Sequence, residues 1–94
     1  MDLDHWRDRI DAINEQLVEL LSERSRCALE VGKIKQEQGL PLYAPERETA
    51  VMNKLKELNQ GPLSDEAIQR IFRQIIDESL RLEQDHAEDE LSDS

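Results

Sequence analysis

The chain has 94 residues and a formal net charge of −10, with a sequence pI of about 4.5. This acidity works against a nucleic-acid or membrane-surface partner, because a phosphate lattice repels such a protein at long range. The single cysteine, Cys27, excludes an internal disulfide, and no apolar stretch is long enough to span a membrane. We expect one small cytoplasmic domain that cannot bury a large core by itself.

The composition predicts an all-α fold. Aromatic residues make up only 3% of the chain, glycine and proline number three each, and helix-forming residues dominate.

The first segment has the pattern of one very long helix. Its apolar residues alternate three and four positions apart, as in a heptad seam: Leu3, Trp6, Ile10, Ile13, Leu17, Leu20, Cys27, Val31 and Ile34. We predict a helix from about Asp4 to Gln38, roughly 50 Å long at ~1.5 Å per residue. One small subunit cannot cover such a seam, so a second copy alongside it is predicted.

Two shorter helices follow. Gly39 and Pro41 end the first helix, and Pro45 suits the first position of a second one that is predicted to end near Leu58. After the turn Asn59-Gln60-Gly61-Pro62, Ser64 is placed to cap a third helix. We assign 1–85 to the folded domain, and we expect the acidic segment 86–94 to be a disordered tail.

Polar residues interrupt the apolar stripes at five positions on the three helices: Arg24, Lys35, Glu48, Ser79 and Glu83. Arg24 in the seam needs an anion, which is either a glutamate of the other subunit or a ligand. Lys35 taken alone is better explained as a solvated surface lysine. Together, however, the five residues indicate a lined pocket inside the bundle with two cations, carboxyls and a hydroxyl.

Arg7 precedes Arg24 by seventeen residues, or roughly 25 Å along a helix. The two cannot hold one small ligand from the same chain. If two long helices run antiparallel across a two-fold axis, Arg7 of one subunit approaches Arg24 of the other. The alternative is a surface arginine paired with Asp4 or Asp11 at helical spacing.

Neither a metal nor a cofactor is indicated. His5 and His86 have no ligand spacing, and the chain has no phosphate-binding glycine loop and no nucleophile paired with a base. A cationic pocket of this kind is typical of electrostatic catalysis on a bound anion, or of binding alone.

Five motifs follow one another along the chain: Arg7-x-x-Ile10-Asp11-x-Ile13-x-x-Gln16-Leu17-x-x-Leu20-Leu21-x-x-Arg24, Val31-Gly32-x-x-Lys35, Pro45-x-Arg47-Glu48, Gly61-Pro62-Leu63-Ser64 and Ile71-Phe72-Arg73-x-Ile75-Ile76-x-x-Ser79. In this order they strongly resemble the all-helical class of chorismate mutases, in particular the mutase domains fused to prephenate dehydratase or to the enzyme that begins the aromatic pathway. The resemblance covers nearly everything except the acidic tail. It implies an intertwined homodimer of three-helix subunits that share two active sites.

The resemblance also implies a role for each site residue. Arg24 and Arg7 of the other subunit would bind the two carboxylates of chorismate. Ser79 would assist at one carboxylate, and Lys35 would contact a carboxylate and the ether oxygen. Glu48 would accept a hydrogen bond from the substrate hydroxyl.

Three further positions complete the implied site. Arg47 would steady the start of the second helix. Ala44, where relatives often have Asp, would contribute its main-chain N–H. Glu83 stands where many relatives have Gln and would donate to the ether oxygen only when protonated; burial and Glu48 are expected to raise its pKa while Lys35 opposes them.

The implied reaction is the conversion of chorismate to prephenate in phenylalanine and tyrosine biosynthesis, with no coenzyme. Two alternatives stay open. One is an isochorismate pyruvate lyase, which shares this fold and much of this pocket. The other is a helical dimerisation or effector-binding module without turnover.

Overall fold

The structure is a computed structural model that describes residues 2–92, with side chains as far as residue 89. Over this range the chain forms three helices, which are α1 (Leu3–Glu37), α2 (Pro45–Leu58) and α3 (Asp65–Ser92). The predicted all-α class and the long N-terminal helix are confirmed.

Helix α1 begins and ends on the signals that its sequence contains. The Asp2 carboxylate accepts a hydrogen bond from the His5 N–H at 3.0 Å, which caps the N-terminus. At the other end Gly39 takes a φ of +67°, a conformation that favours glycine, and the Leu40 N–H donates to the Lys35 carbonyl at 2.8 Å. The predicted helix, Asp4 to Gln38, differs by one residue at each end.

Helix α2 occupies the predicted range. Pro45 opens it, and Glu46 and Glu48 fall in the first turn, where the helix dipole favours acidic side chains. The turn after α2 is held by Asn59, whose side-chain amide donates to the Leu63 carbonyl and to Asp65 Oδ1, both at 2.9 Å.

Helix α3 is longer than predicted. Ser64 caps it as expected, since its Oγ accepts a hydrogen bond from the Ala67 N–H at 3.1 Å. We expected 86–94 to be disordered, but the helix continues through 86–92, while 93–94 lie outside the described residues. The physical reason is that no proline or glycine follows Pro62, and strong helix formers such as Ala87 and Glu88 extend the last turns.

Helix α3 packs against both α1 and α2. The described chain measures 57 × 29 × 15 Å, so its thickness is close to that of a single layer of helices. Gly32 and Ile76 are therefore the two buried residues among 2–89. Large apolar side chains stay exposed along α1, including Ile10 at 56% and Leu17 at 51%.

Candidate active site

A cavity of about 280 Å³ lies among the C-terminal half of α1, the loop that follows it, α2 and α3. Its wall combines an apolar surface with polar side chains. The residues that line it are Arg24, Cys27, Ala28, Val31, Lys35, Leu42, Ala44, Arg47, Glu48, Val51, Ile76, Ser79, Leu80 and Glu83. All seven residues that were predicted to serve the site from within this chain line it, while Arg7 does not.

Arg24 and Ser79 join α1 to α3 at the cavity wall. Arg24 Nη1 donates to Ser79 Oγ at 2.7 Å, and the Ser79 hydroxyl in turn donates to the Ile75 carbonyl at 2.9 Å. Because the hydroxyl proton is used in the helix, the serine oxygen is left to accept from the guanidinium. Arg24 is thereby held in place, and its planar group retains further N–H donors for an anion.

Lys35 is held by the loop that follows its own helix. Its Nζ donates to the Leu42 carbonyl at 2.9 Å, and the residue is half-buried. The loop therefore fixes the ammonium at the cavity while two of its three protons remain for other acceptors.

Glu48 reaches the cavity from the first turn of α2. Its side chain is only 14% exposed, and its Oε1 accepts a hydrogen bond from Arg73 Nη1 at 2.7 Å. Arg73 lies on α3 and also pairs with Asp77, one turn further along, at 3.5 Å. The hydrogen bond to Glu48 raises the pKa of Arg73 despite the opposing effect of desolvation.

Glu83 is a half-buried carboxyl at the crossing of α3 and α1. Burial raises its pKa, while the charges of Lys35 and Arg24 lower it. The predicted effects of burial and of Lys35 are confirmed, whereas Glu48, which was also predicted to raise this pKa, does not contribute, and Arg24 adds a lowering charge that was not predicted. The result favours a neutral carboxyl, which can donate a hydrogen bond, up to higher pH than for an exposed glutamate.

Gly32 allows the close contact between α1 and α3 at this point. A Cβ built on Gly32 would lie 3.2 Å from Glu83 Cγ and 3.4 Å from Glu83 Cβ. A Cβ at these distances would be packed more tightly than side chains ordinarily are. The absence of a side chain at position 32 therefore defines where Glu83 enters the cavity.

Ala44 and Arg47 line the cavity at the start of α2. Ala44 is the N-cap residue, and its carbonyl accepts from the Glu48 N–H at 3.1 Å. The Arg47 side chain is exposed and adds a third cation to the lining. Three cations and an apolar floor suit a small organic dianion, although the chain as a whole carries a charge of −10.

Arg7 lies on the exposed N-terminal half of α1, roughly 25 Å along the helix from Arg24. It does not reach the cavity of its own chain. Its predicted role therefore depends on a second copy.

Among the described residues there is neither a cluster of metal-binding side chains nor a membrane-spanning helix. Nowhere in this part of the chain do three His, Cys, Asp or Glu side chains cluster as metal ligands would. Of the three helices, none is both long and apolar enough to cross a membrane, as far as the chain is described.

Residues 6–84 match the family model of chorismate mutase type II. The chain belongs to this family. This chorismate mutase type II chain is 43% identical over 83 residues to the bifunctional chorismate mutase/prephenate dehydratase of Pseudomonas aeruginosa. The alignment covers 83% of this chain but only 23% of that protein, so the chain spans about a quarter of this relative's length.

Two solved structures share the fold closely. The chorismate mutase of Thermus thermophilus, in its form II, is 39% identical, with a TM-score of 0.86 over 87% of this chain and 93% of that one. The chorismate mutase of Helicobacter pylori in complex with prephenate is 28% identical, with a TM-score of 0.85 over 92% and 93% of the two chains.

One polar residue beside the cavity of this chorismate mutase type II chain was not predicted from the sequence. Arg73 is part of the motif on α3, but no role was expected for it. Its spacing contains a signal in retrospect, because Arg73 stands one turn before Ile76 on the stripe that continues through Leu80 and Glu83. A cation on that stripe, facing the acidic first turn of α2, is placed to pair with Glu48.

Proposed function

We propose that this chain catalyses the rearrangement of chorismate to prephenate in the biosynthesis of phenylalanine and tyrosine. The observation that carries the proposal is the presence of Arg24, Lys35 and Glu83 in one cavity of a chorismate mutase type II chain. A structural relative in complex with the product, prephenate, supports the same reaction.

The reaction is intramolecular. One ether C–O bond breaks while one C–C bond forms within the same molecule, so no group enters or leaves and neither a nucleophile nor a coenzyme is required. The protein has to hold the flexible enolpyruvyl arm over the ring and stabilise the negative charge that develops on the ether oxygen.

Arg24 binds one carboxylate of the substrate, with Ser79 assisting. The hydrogen bond from Arg24 Nη1 to Ser79 Oγ, 2.7 Å long, supports this role because it orients the guanidinium before the substrate arrives. The second carboxylate is bound by Arg7 of the second protomer.

Lys35 and Glu83 act on the ether oxygen. Lys35 contributes a positive charge, held in place by the Leu42 carbonyl. Glu83 contributes a hydrogen bond in its protonated form, and the burial that raises its pKa supports this state. Two donors thus meet the oxygen on which charge develops.

The hydroxyl group of the substrate is bound at the start of α2. Glu48 accepts a hydrogen bond from it, and the main-chain N–H of Ala44 contacts it as well. Arg47 steadies the start of the helix. The position of all three residues at the cavity wall supports these roles.

The active form is an intertwined homodimer. Every described side chain from Asp2 to Glu23 is exposed in the single chain, although the segment contains an apolar stripe at heptad spacing. Leaving such a stripe in water is costly, and an antiparallel second copy covers it while bringing Arg7 towards the other cavity.

The catalytic domain comprises 1–85, in accord with the family match over residues 6–84, and 86–94 lie outside it. The protein acts in the cytoplasm on a small-molecule substrate. Neither a metal nor a coenzyme takes part, and neither nucleic acid nor a membrane is a partner.

The deciding experiment is an assay of the purified chain with chorismate and, separately, with isochorismate. We expect prephenate from chorismate and at most trace salicylate from isochorismate. Arg24→Ala is the matched negative control, because it removes the carboxylate contact. Salicylate as the main product, or no turnover of chorismate, contradicts the proposal.

A further inference from the structure

The hydrogen bond from Arg73 holds the Glu48 carboxylate in position at the cavity wall. Glu48 has three rotatable side-chain bonds, and its carboxylate is nearly covered, with 14% exposed. A covered carboxylate that faces an anionic ligand needs a positive partner, or else it withdraws towards water. Arg73 supplies that partner at 2.7 Å.

Arg73 reaches Glu48 from outside the cavity. Its side chain is 41% exposed. It lines an open groove on the outer surface of α2 and α3, together with Met52, Glu66, Gln69, Arg70 and Gln74, and is absent from the residues that line the active-site cavity. The Arg73 guanidinium therefore binds the Glu48 carboxylate from the side away from the cavity and leaves the second carboxylate oxygen available for a ligand.

Arg73 is itself held by Asp77, whose Oδ1 lies 3.5 Å from the same Nη1. The two residues are four positions apart on α3, a spacing at which charged side chains meet on a helix. The three residues form a row of alternating charges, Asp77, Arg73 and Glu48, that runs from the surface to the cavity wall.

We propose that Arg73 is a positioning residue of the active site, which fixes the Glu48 carboxylate so that it accepts a hydrogen bond from the substrate hydroxyl. The inference rests on the proposed function and adds to it a residue that does not touch the substrate. Arg73 also neutralises Glu48, so that this carboxylate does not repel a dianionic substrate.

The test is a double-mutant cycle measured by kcat and KM for chorismate. Arg73→Met should lower kcat/KM about tenfold or more, since a hydrogen bond to a charged group is involved. Glu48→Gln should lower it at least as far. If Arg73 acts through Glu48, adding Arg73→Met to Glu48→Gln changes kcat/KM by less than about twofold.

Two further variants keep the test independent of folding. Arg73→Lys retains the charge and should recover part of the activity lost in Arg73→Met, again only when Glu48 is present. Arg81→Met is the matched control, because Arg81 is an exposed arginine of the same helix that pairs with Glu78 at 3.4 Å, and it should retain wild-type kinetics.

The outcomes separate the two proposals. Wild-type turnover in Arg73→Met, or losses in the double variant that equal the product of the two single losses, overturn the positioning role and leave the proposed function intact. A wild-type chain that makes no prephenate overturns the proposed function and this inference with it.

Discussion

The two halves of α1 differ in what they contact. From Asp2 to Glu23 every described side chain is exposed. From Arg24 onwards the same helix lies against α3, buries Gly32 and lines the cavity. One continuous helix therefore has a C-terminal half that packs against its own chain and lines the cavity, and an N-terminal half that is exposed and carries Arg7.

The proposed homodimer accounts for this contrast. A body about one helix layer thick has no interior in which to bury an apolar stripe, so in the proposed homodimer the stripe is buried between the two copies. We expect changes in the N-terminal half to affect folding and assembly, and changes around the cavity to affect turnover while the fold persists.

The largest effect is expected in the N-terminal half of α1. Leu17→Lys places a charge in the middle of the apolar stripe, and in a dimer it should destabilise the fold by more than about 4 kcal/mol, because the charge is buried without a partner. Sedimentation and circular dichroism should show dissociated, unfolded chains without activity.

The matched control is Glu19→Lys, two positions away on the opposite face, which should stay folded and active. A folded, active monomer of Leu17→Lys contradicts the division of α1 into two halves.

The next largest effect concerns Glu83, on the cavity side. Glu83→Ala removes a donor to the ether oxygen and should lower kcat by on the order of a hundredfold, or about 3 kcal/mol, as for other lost oxyanion donors. The variant should remain a folded dimer, in contrast to Leu17→Lys.

The pH dependence tests the protonation state of Glu83. Because its pKa is raised, the neutral form that donates persists to higher pH, and turnover should decline as pH rises through the raised value. Glu83→Gln donates at every pH, so it should keep most of the activity and lose this alkaline decline. The same alkaline decline in both proteins would mean that another group titrates.

The smallest effect is expected for Gly32→Ala. The added methyl group would lie 3.2 Å from Glu83 Cγ and displace that side chain. Overpacking costs about 1–3 kcal/mol, and the better helix propensity of alanine offsets about 1 kcal/mol, so the fold should survive while kcat falls about tenfold through the shifted Glu83.

Gly32→Ala combined with Glu83→Ala is the control for this effect. The shortened side chain at 83 leaves room for the methyl group, so the glycine substitution should have no further effect on kcat. An equal loss of turnover in both backgrounds would assign the effect to α1 itself.

Much of the fold could be predicted from the sequence because its signals are local. Proline at the start of α2, Ser64 before α3 and Gly39 after α1 define helix ends through neighbouring residues alone. The prediction of a disordered tail is wrong because low apolar content alone does not prevent a helix, and helix propensity without proline or glycine is enough to continue α3 to Ser92.

The site was predictable to the extent that its residues interrupt apolar stripes. Arg24, Ser79 and Glu83 stand out for this reason. Arg73 gives a weaker signal: it lies one turn before Ile76 on the stripe that leads to Glu83, but a half-exposed arginine there is hard to tell from a surface arginine until α3 is packed against α2. The hydrogen bond from Lys35 to the Leu42 carbonyl was also not predicted, because no periodic pattern in the sequence indicates the conformation of a loop.

The most direct test of the shared site is subunit exchange between Arg7→Ala and Arg24→Ala chains. Each variant alone should lose nearly all activity, since each of its sites lacks one arginine. In a heterodimer one of the two sites has both arginines, so an equal mixture should recover about a quarter of the wild-type activity once exchange is complete. No recovery after exchange has been verified, for example by mass spectrometry of differently tagged chains, would contradict the claim that each site is completed by the other copy.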